Sequence, residues 1–351
     1  MSTSDLAPAI VAIAAHYPER VLTNAELGER LGKSERWILE RSGIVGRRVA
    51  ADESTSDLIV PAARACLKSA GRDPRDVDAI LVATVTPDYP FPSTAALVQD
   101  RLGASRAWGI DIGASSAGFV VGLAQARALI LSKQARSILV CGGDTMTSVV
   151  DPNDPSTAIL FGDGAGAALV EDGGDPTLGI LDVVMRTDGS GATNLYLPAG
   201  GSRRPASAET VLARGHYLVQ DGAAIFRAAV SMMSDLAVAL MHRNNLAARD
   251  VDWMVPHQAN QRIMDSVASH LSVDSARVIS NISEVGNTWA GSIPGCLGVW
   301  QRAGHLRRGD RLLLTSFGAG YVAAGAVVRW SITENDSGHA DAANVLPRRF
   351  L

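Results

Sequence analysis

Cysteine is scarce in this chain: three in 351 residues, Cys66, Cys141 and Cys296, each in an apolar segment far from the others. That distribution speaks against a disulfide framework or a cysteine metal site, and predicts reduced core thiols in a cytoplasmic protein. Positive charge is not in excess either. Lysine and arginine total 32 against 36 aspartates and glutamates, a net charge of −4, which argues against general nucleic-acid or membrane binding. The N-terminus lacks the basic segment of a signal peptide, and Ile10 to Ala15 is too short for its apolar core. No apolar run approaches the length expected of a membrane span.

What is present is glycine and apolar surface. Thirty-four glycines, 47% hydrophobic residues and a mean hydropathy of +0.12 describe a globular protein with a large core and many tight turns. The stretch that organises the chain is DIGASSAGFVVGLAQARALIL, Asp111 to Leu131. Small residues from Gly113 to Gly118 suit a tight strand-to-helix turn. From Phe119 to Leu131 only Gln125 and Arg127 are polar, which predicts a helix buried on nearly all sides. Such a helix directs its dipole and unpaired N–H groups at whatever sits at its start. Ser116 sits there, either as an N-cap or as a nucleophile at the base of a substrate tunnel.

In chain order, Ala9 to Ala14 reads as a strand, Ser34 to Arg41 as a short helix carrying Trp37, and Ser56 to Ala70 as an amphipathic helix stopped by Gly71. DVDAILVAT (76–84), RSILVCG (136–142) and GDGAGAALV (162–170) read as buried strands. After a long helix expected over Tyr217 to Arg243, the second half repeats them as DVDWMVP (250–256), DRLLLTSF (310–317) and AAGAVV (323–328). The first pair runs from 76 to 250 and the second from 138 to 312, an offset of 174 each time. Equal spacing of two independent pairs points to an internal duplication. The expected fold is a layered α/β protein of two fused halves, 1–173 and 174–333, with a patternless polar tail at 334–351.

Three further pieces stand out. His257, in VPHQAN, ends a buried strand, a position for either a structural or a catalytic histidine. Asn287 follows Gly286 in VGNTWAGSIP, as a turn residue would. The loop SFGAGY (316–321) reads as a strand-to-strand turn or as a cluster of backbone N–H groups fit for an oxyanion.

Taken together, DIGASSAGF, ILFGDGAGAALV, VPHQANQRI, GNTWAGSIP and SFGAGY resemble, in order, the motifs of the β-ketoacyl synthase III family of the thiolase superfamily. The resemblance runs from about residue 8 to 331. It implies a five-layer αβαβα fold, usually a homodimer, and decarboxylative Claisen condensation of an acyl group with a malonyl thioester. His257 and Asn287 match the family's catalytic pair, and Ser116 falls where the family has its nucleophilic cysteine. Phe317 matches the phenylalanine beside the departing carboxylate, with Gly318 and Gly320 in the nearby main-chain loop. Phe91 matches a residue passed into the partner's acyl pocket, and Trp289 stands where the family has a small residue. Trp37 and Arg41 match positions around the coenzyme A adenine. Arg227 and Arg262 match basic positions at the tunnel mouth. The substrates implied are acyl-CoA or acyl-carrier thioesters, with an acyl carrier protein as possible partner and no resident cofactor or metal.

The chain departs from the family at Pro155, where an arginine often faces the adenine, and at Ser269 and His270, where lysines often dock the carrier. The serine at 116 leaves three alternatives open. It is a natural nucleophile with His257 as base, making an acyltransferase or starter-loading enzyme. It replaces a cysteine by design. Or the chain is a non-catalytic partner subunit. Survival of both His257 and Asn287 argues against the last.

Overall fold

The computed structural model describes residues 6–333; the polar tail expected at 334–351 lies outside the described residues. Two sheets carry the fold. The first has the order Pro8–His16, Asp163–Asp172, Ser137–Thr145, Ala79–Ala83, Trp108–Ile112; the second has Gly179–Thr187, Val322–Arg329, Arg311–Gly318, Trp253–Pro256. In each, the DVD-derived strand runs parallel to its neighbour, and an antiparallel hairpin partner follows. The repeated strand pairs therefore hold equivalent places in the two sheets.

The second aspartate of each DVD explains part of the repeat. Asp78 Oδ2 accepts the N–H groups of Arg136 and Ser137 at 2.7 and 3.1 Å, and Asp252 Oδ2 accepts that of Arg311 at 2.8 Å. Each carboxylate thus closes the start of the neighbouring strand, while Val77 and Val251 between the acids are buried. Along the strands, alternate residues serve opposite layers. Ile138 and Val140 face the middle of the molecule and Leu139 and Cys141 the outside layer; Leu312 and Leu314 repeat this against Leu313. Both faces are covered, so the runs are apolar throughout.

The helices Gly118–Leu131 and Ser292–Arg302 lie between the sheets, Thr55–Ser69 and Thr94–Leu102 cover the first, and Gly222–Arg243 and Gln261–His270 cover the second. This is a five-layer αβαβα arrangement. Two expectations change. Gly222–Arg243 is long and apolar enough, by length and composition, to cross a membrane; here Met233, Leu236 and Leu240 pack it onto Leu313 and Val327 of the second sheet. Gly118–Leu131 is not covered all round, because Gln125 and Ala128 are exposed and Val121 half-buried. Val121 still packs against the central core, so the exposed part of this face is the strip at Gln125 and Ala128.

Candidate active site

The cavity lies where both repeats end. It holds about 690 Å³ and is lined by Ser116, His257, Asn287, Phe317, Gly318 and Trp289, with Trp37, Arg41, Pro155, Arg227 and Arg262 also on its wall. A volume of this order accommodates a small-molecule substrate.

Ser116 sits in a single 3-10 turn, Ser115–Ala117, just before the central helix. It is not an N-cap: that position falls on Ala117, and no side chain caps the helix. The second half holds the turn in place. Ser316 Oγ donates to the Ser116 carbonyl at 2.7 Å, and Ser115 Oγ accepts the Ala319 N–H at 3.0 Å. Glycine is needed opposite: a Cβ on Gly318 would stand 2.5 Å from Ser115 Oγ and 2.7 Å from Ser116 N. Position 318 is the repeat equivalent of 144, and there the chain has aspartate. Asp144 Oδ2 accepts the N–H of Ala290, the counterpart of Ser116, at 3.0 Å. Its other oxygen accepts from Val85 and Thr86 N–H and from the Thr84 and Thr86 hydroxyls. One turn is thus closed by a carboxylate; the other borders the cavity.

His257 follows the strand Trp253–Pro256, its N–H held by the Thr315 carbonyl at 2.7 Å. The ring is 3% exposed, and burial pushes its pKa down from 6.5 to about 3, so the imidazole is neutral at physiological pH. Its Nδ1 lies 2.6 Å from Ser292 Oγ. Asn287 is clamped to the first half, its N–H donating to the Leu160 carbonyl and its carbonyl accepting from Gly162. Its Oδ1 accepts the Trp289 N–H at 3.0 Å, which fixes the amide's orientation and leaves Nδ2 as the available donor, with only a 3.4 Å contact to the Ala259 carbonyl.

Phe317, one residue before the end of its strand, packs against Tyr321, ring centroids 4.9 Å apart. Trp289 is buried against Phe161 at 5.5 Å. At the mouth the Arg41 guanidinium lies 4.0 Å over the Trp37 ring, so one indole face is already stacked, while Arg227 and Arg262 are exposed. Two expected residues are not on this wall. Gly320 sits at the tip of the hairpin beyond Gly318, its φ of 138° reserved for glycine. Phe91 is 85% exposed, in a loop away from this chain's own cavity. Sequence reasoning missed Phe161, Phe226 and Met233 on the wall, and it missed Asp144 and the contact of Ser292 with His257. An aspartate inside the apolar run ILVCGGDT was the one available signal for Asp144.

The C-terminal profile described as 3-oxoacyl-[acyl-carrier-protein (ACP)] synthase III C terminal matches residues 241–330, and that of 3-oxoacyl-[acyl-carrier-protein (ACP)] synthase III matches 110–189. The β-ketoacyl-[acyl-carrier-protein] synthase III of Chlorobium chlorochromatii (strain CaD3) is 46% identical over 325 residues, covering 92% of this chain and 99% of that protein. This chain belongs to the β-ketoacyl-[acyl-carrier-protein] synthase III family. Within the family, the synthase of Solibacter usitatus (strain Ellin6076) is 43% identical over 92% of this chain and 98% of its own length. Among solved structures, the Pseudomonas aeruginosa PAO1 synthase III superposes with a TM-score of 0.85 at 39% identity, covering 92% of this chain and 98% of that one. The priming β-ketosynthase of the R1128 polyketide pathway gives 0.86 at 33%, covering 93% and 97%. The thiolase-like fold expected from the motifs is the fold found.

Proposed function

We propose that this chain is a condensing acyltransferase that joins an acyl group to a malonyl thioester with loss of CO2, in fatty-acid or polyketide-type biosynthesis. The observation that carries the reading is the convergence of His257 and Asn287 on the cavity that Ser116 lines. When the malonyl carboxylate leaves, the electron pair of the breaking C–C bond passes into the thioester carbonyl. A neutral imidazole N–H and the Asn287 amide N–H stabilise that enolate oxygen as charge develops. The carbanion then attacks the carbonyl of the acyl thioester held near Ser116, the new C–C bond forming as the C–S bond breaks and the thiolate leaves. Phe317 keeps water from the departing carboxylate and favours its conversion to neutral CO2.

Trp37, Arg41, Arg227 and Arg262 would receive the nucleotide and phosphates of an acyl-CoA at the mouth. The proposed chemistry needs only the two thioesters. An acyl carrier protein is the alternative thioester donor, without the lysines that often dock it. The assembly is a homodimer. Trp108–Ile112 is an edge strand with Trp108 45% and Ile110 47% exposed, beside the uncovered face of the central helix. Such an edge is normally blunted or paired, and dimerisation would also bury Phe91. Three buried free thiols fit a reducing compartment such as the cytoplasm.

The test is direct. Purified protein given malonyl and acyl thioesters should release CO2, with the β-ketoacyl product, followed by mass spectrometry, forming slowly while serine stands at 116. His257→Ala should remove CO2 release while leaving the fold intact; undiminished release from that variant sinks the reading. The serine itself favours a second reading, transfer through a Ser116 ester, which requires His257 to act as a base.

A further inference from the structure

We infer that Ser292 is a positioning residue that holds His257 in the tautomer protonated on Nε2, fitting it to donate to a carbonyl and unfitting it as the base for Ser116. The inference rests on the functional reading above and assigns the protonation state within that site.

Ser292 opens the central helix Ser292–Arg302 and is buried with its hydroxyl against the imidazole. Among the described residues its Oγ has two hydrogen-bond partners: His257 Nδ1 at 2.6 Å, and the Gln258 N–H, which donates to it at 3.3 Å. The backbone N–H can only donate, so it takes a lone pair of the hydroxyl oxygen. The hydroxyl's single proton is then directed at Nδ1, which accepts it. A neutral imidazole carries one proton, and with Nδ1 accepting, that proton is on Nε2. The opposite arrangement would have Oγ accepting from both neighbours, with its own proton given no partner in a buried site. The network therefore assigns the tautomer.

The consequence separates the two functions. Nε2–H is the donor that enolate stabilisation uses. Deprotonating Ser116 needs Nε2 as an acceptor, the arrangement that a carboxylate at Nδ1 produces in hydrolase triads. Ser292 is a hydroxyl where such a triad has an acid. The same serine that prepares His257 for decarboxylation thus withholds a base from the nucleophile position.

Four variants and nitrogen-15 NMR of the His257 ring test this. Wild-type protein should show the Nε2-protonated ring. Ser292→Ala should lose the tautomer bias and lower kcat for malonyl-thioester decarboxylation about 10²-fold, the scale of one oxyanion donor, with KM nearly unchanged. Ser292→Thr keeps a hydroxyl and should restore both. Ser292→Asp should reverse the ring, losing decarboxylation while raising Ser116 ester formation, in which Ser116 Oγ bonds the acyl carbon, its proton moves to Nε2, and the thiolate leaves with that proton. A purely packing role would not raise ester formation. A wild-type ring protonated on Nδ1, or a Ser292→Ala variant with unchanged tautomer and kcat, overturns the inference. If His257→Ala decarboxylates normally, the functional reading falls instead, and the ring's NMR signature still decides the role of Ser292.

Discussion

Ser115 and Trp289 adopt the same unusual backbone conformation 174 residues apart, with φ of 53° and 51°. Both open a 3-10 turn that leads into a central helix. Left-handed backbone costs a non-glycine residue roughly 1–2 kcal/mol, so the duplicated turn is held by its surroundings twice. In the first half it brings Ser116 to the cavity. In the second it turns a bulky indole toward the same cavity, while the N–H of the next residue, Ala290, is sealed by Asp144. One ancestral turn thus serves two purposes: one copy presents a reactive position and the other shapes the space before it.

Trp289 should therefore limit the acyl group. Replacing it by glycine relieves the left-handed backbone and empties the space beside Phe161. The expected result is a shift of kcat/KM toward longer acyl thioesters, with stability lowered by a few kcal/mol, since removing a buried tryptophan costs about 3–5 kcal/mol before that relief. A chain-length series reads the first effect and urea unfolding the second. An unchanged length preference would show that the indole does not bound the acyl end.

Asp144→Asn tests the seal. The side-chain oxygen can keep the donors at 84–86, but the new NH2 then faces the Ala290 N–H, donor against donor. An unsatisfied buried group costs about 1–3 kcal/mol, so the unfolding midpoint in urea should fall accordingly. Wild-type stability in this variant would mean that the Ala290 contact contributes little.

Much of this was legible in the sequence because both-face burial writes itself as apolar runs, and duplication writes itself as equal offsets. Asp78 and Asp252 do the same work at the same place, so the DVD repeat was structural information. The contact of Ser292 with His257 was not legible. The two are 35 positions apart, and no pattern says which helix-opening serine meets which strand-ending histidine. Asp144 draws its meaning from donors at 84–86 and 290, visible only once the chain is folded. The uncovered face of Gly118–Leu131 reads as core because Val121, Ala124 and Ala128 are apolar or small. Composition does not distinguish an interior position from an exposed one.

That surface gives a prediction on assembly. Ile110→Lys places a charge on the exposed edge strand, where pairing between copies would bury it. Sedimentation should show a dimer for the wild type and a monomer for the variant. A dimer persisting in Ile110→Lys would move the interface elsewhere.

The pH dependence follows from burial of His257. Its pKa is about 3 when folded against 6.5 unfolded, so between those values the unfolded chain binds the extra proton. Stability is fully present above pH 6.5 and falls as the pH drops from 6.5 toward 3. Decarboxylation, by contrast, should show no limb near 6.5, because the ring stays neutral in the folded enzyme. Unfolding curves and initial rates from pH 5 to 8 check both; a rate lost with a midpoint near 6.5 would mean that the ring titrates as if exposed.

Ser116→Cys distinguishes condensation by a cysteine-type mechanism from transfer through a serine ester. A thiol titrates near pH 8.5 and ionises readily at a helix start, whereas a hydroxyl depends wholly on a base. The histidine lining the same cavity is His257, and the hydroxyl of Ser292 directs a proton at its Nδ1, leaving Nε2 protonated. Ester formation by the unmodified protein should therefore be slow or absent. Ser116→Cys should raise covalent loading and carbon–carbon bond formation by orders of magnitude, with acyl adducts followed by intact-protein mass spectrometry across a panel of acyl thioesters. Decarboxylation of the malonyl thioester alone should change little, since the His257–Asn287 pair is untouched. Rapid ester formation at Ser116 in the wild type, with no gain on changing it to cysteine, would favour the dedicated acyltransferase.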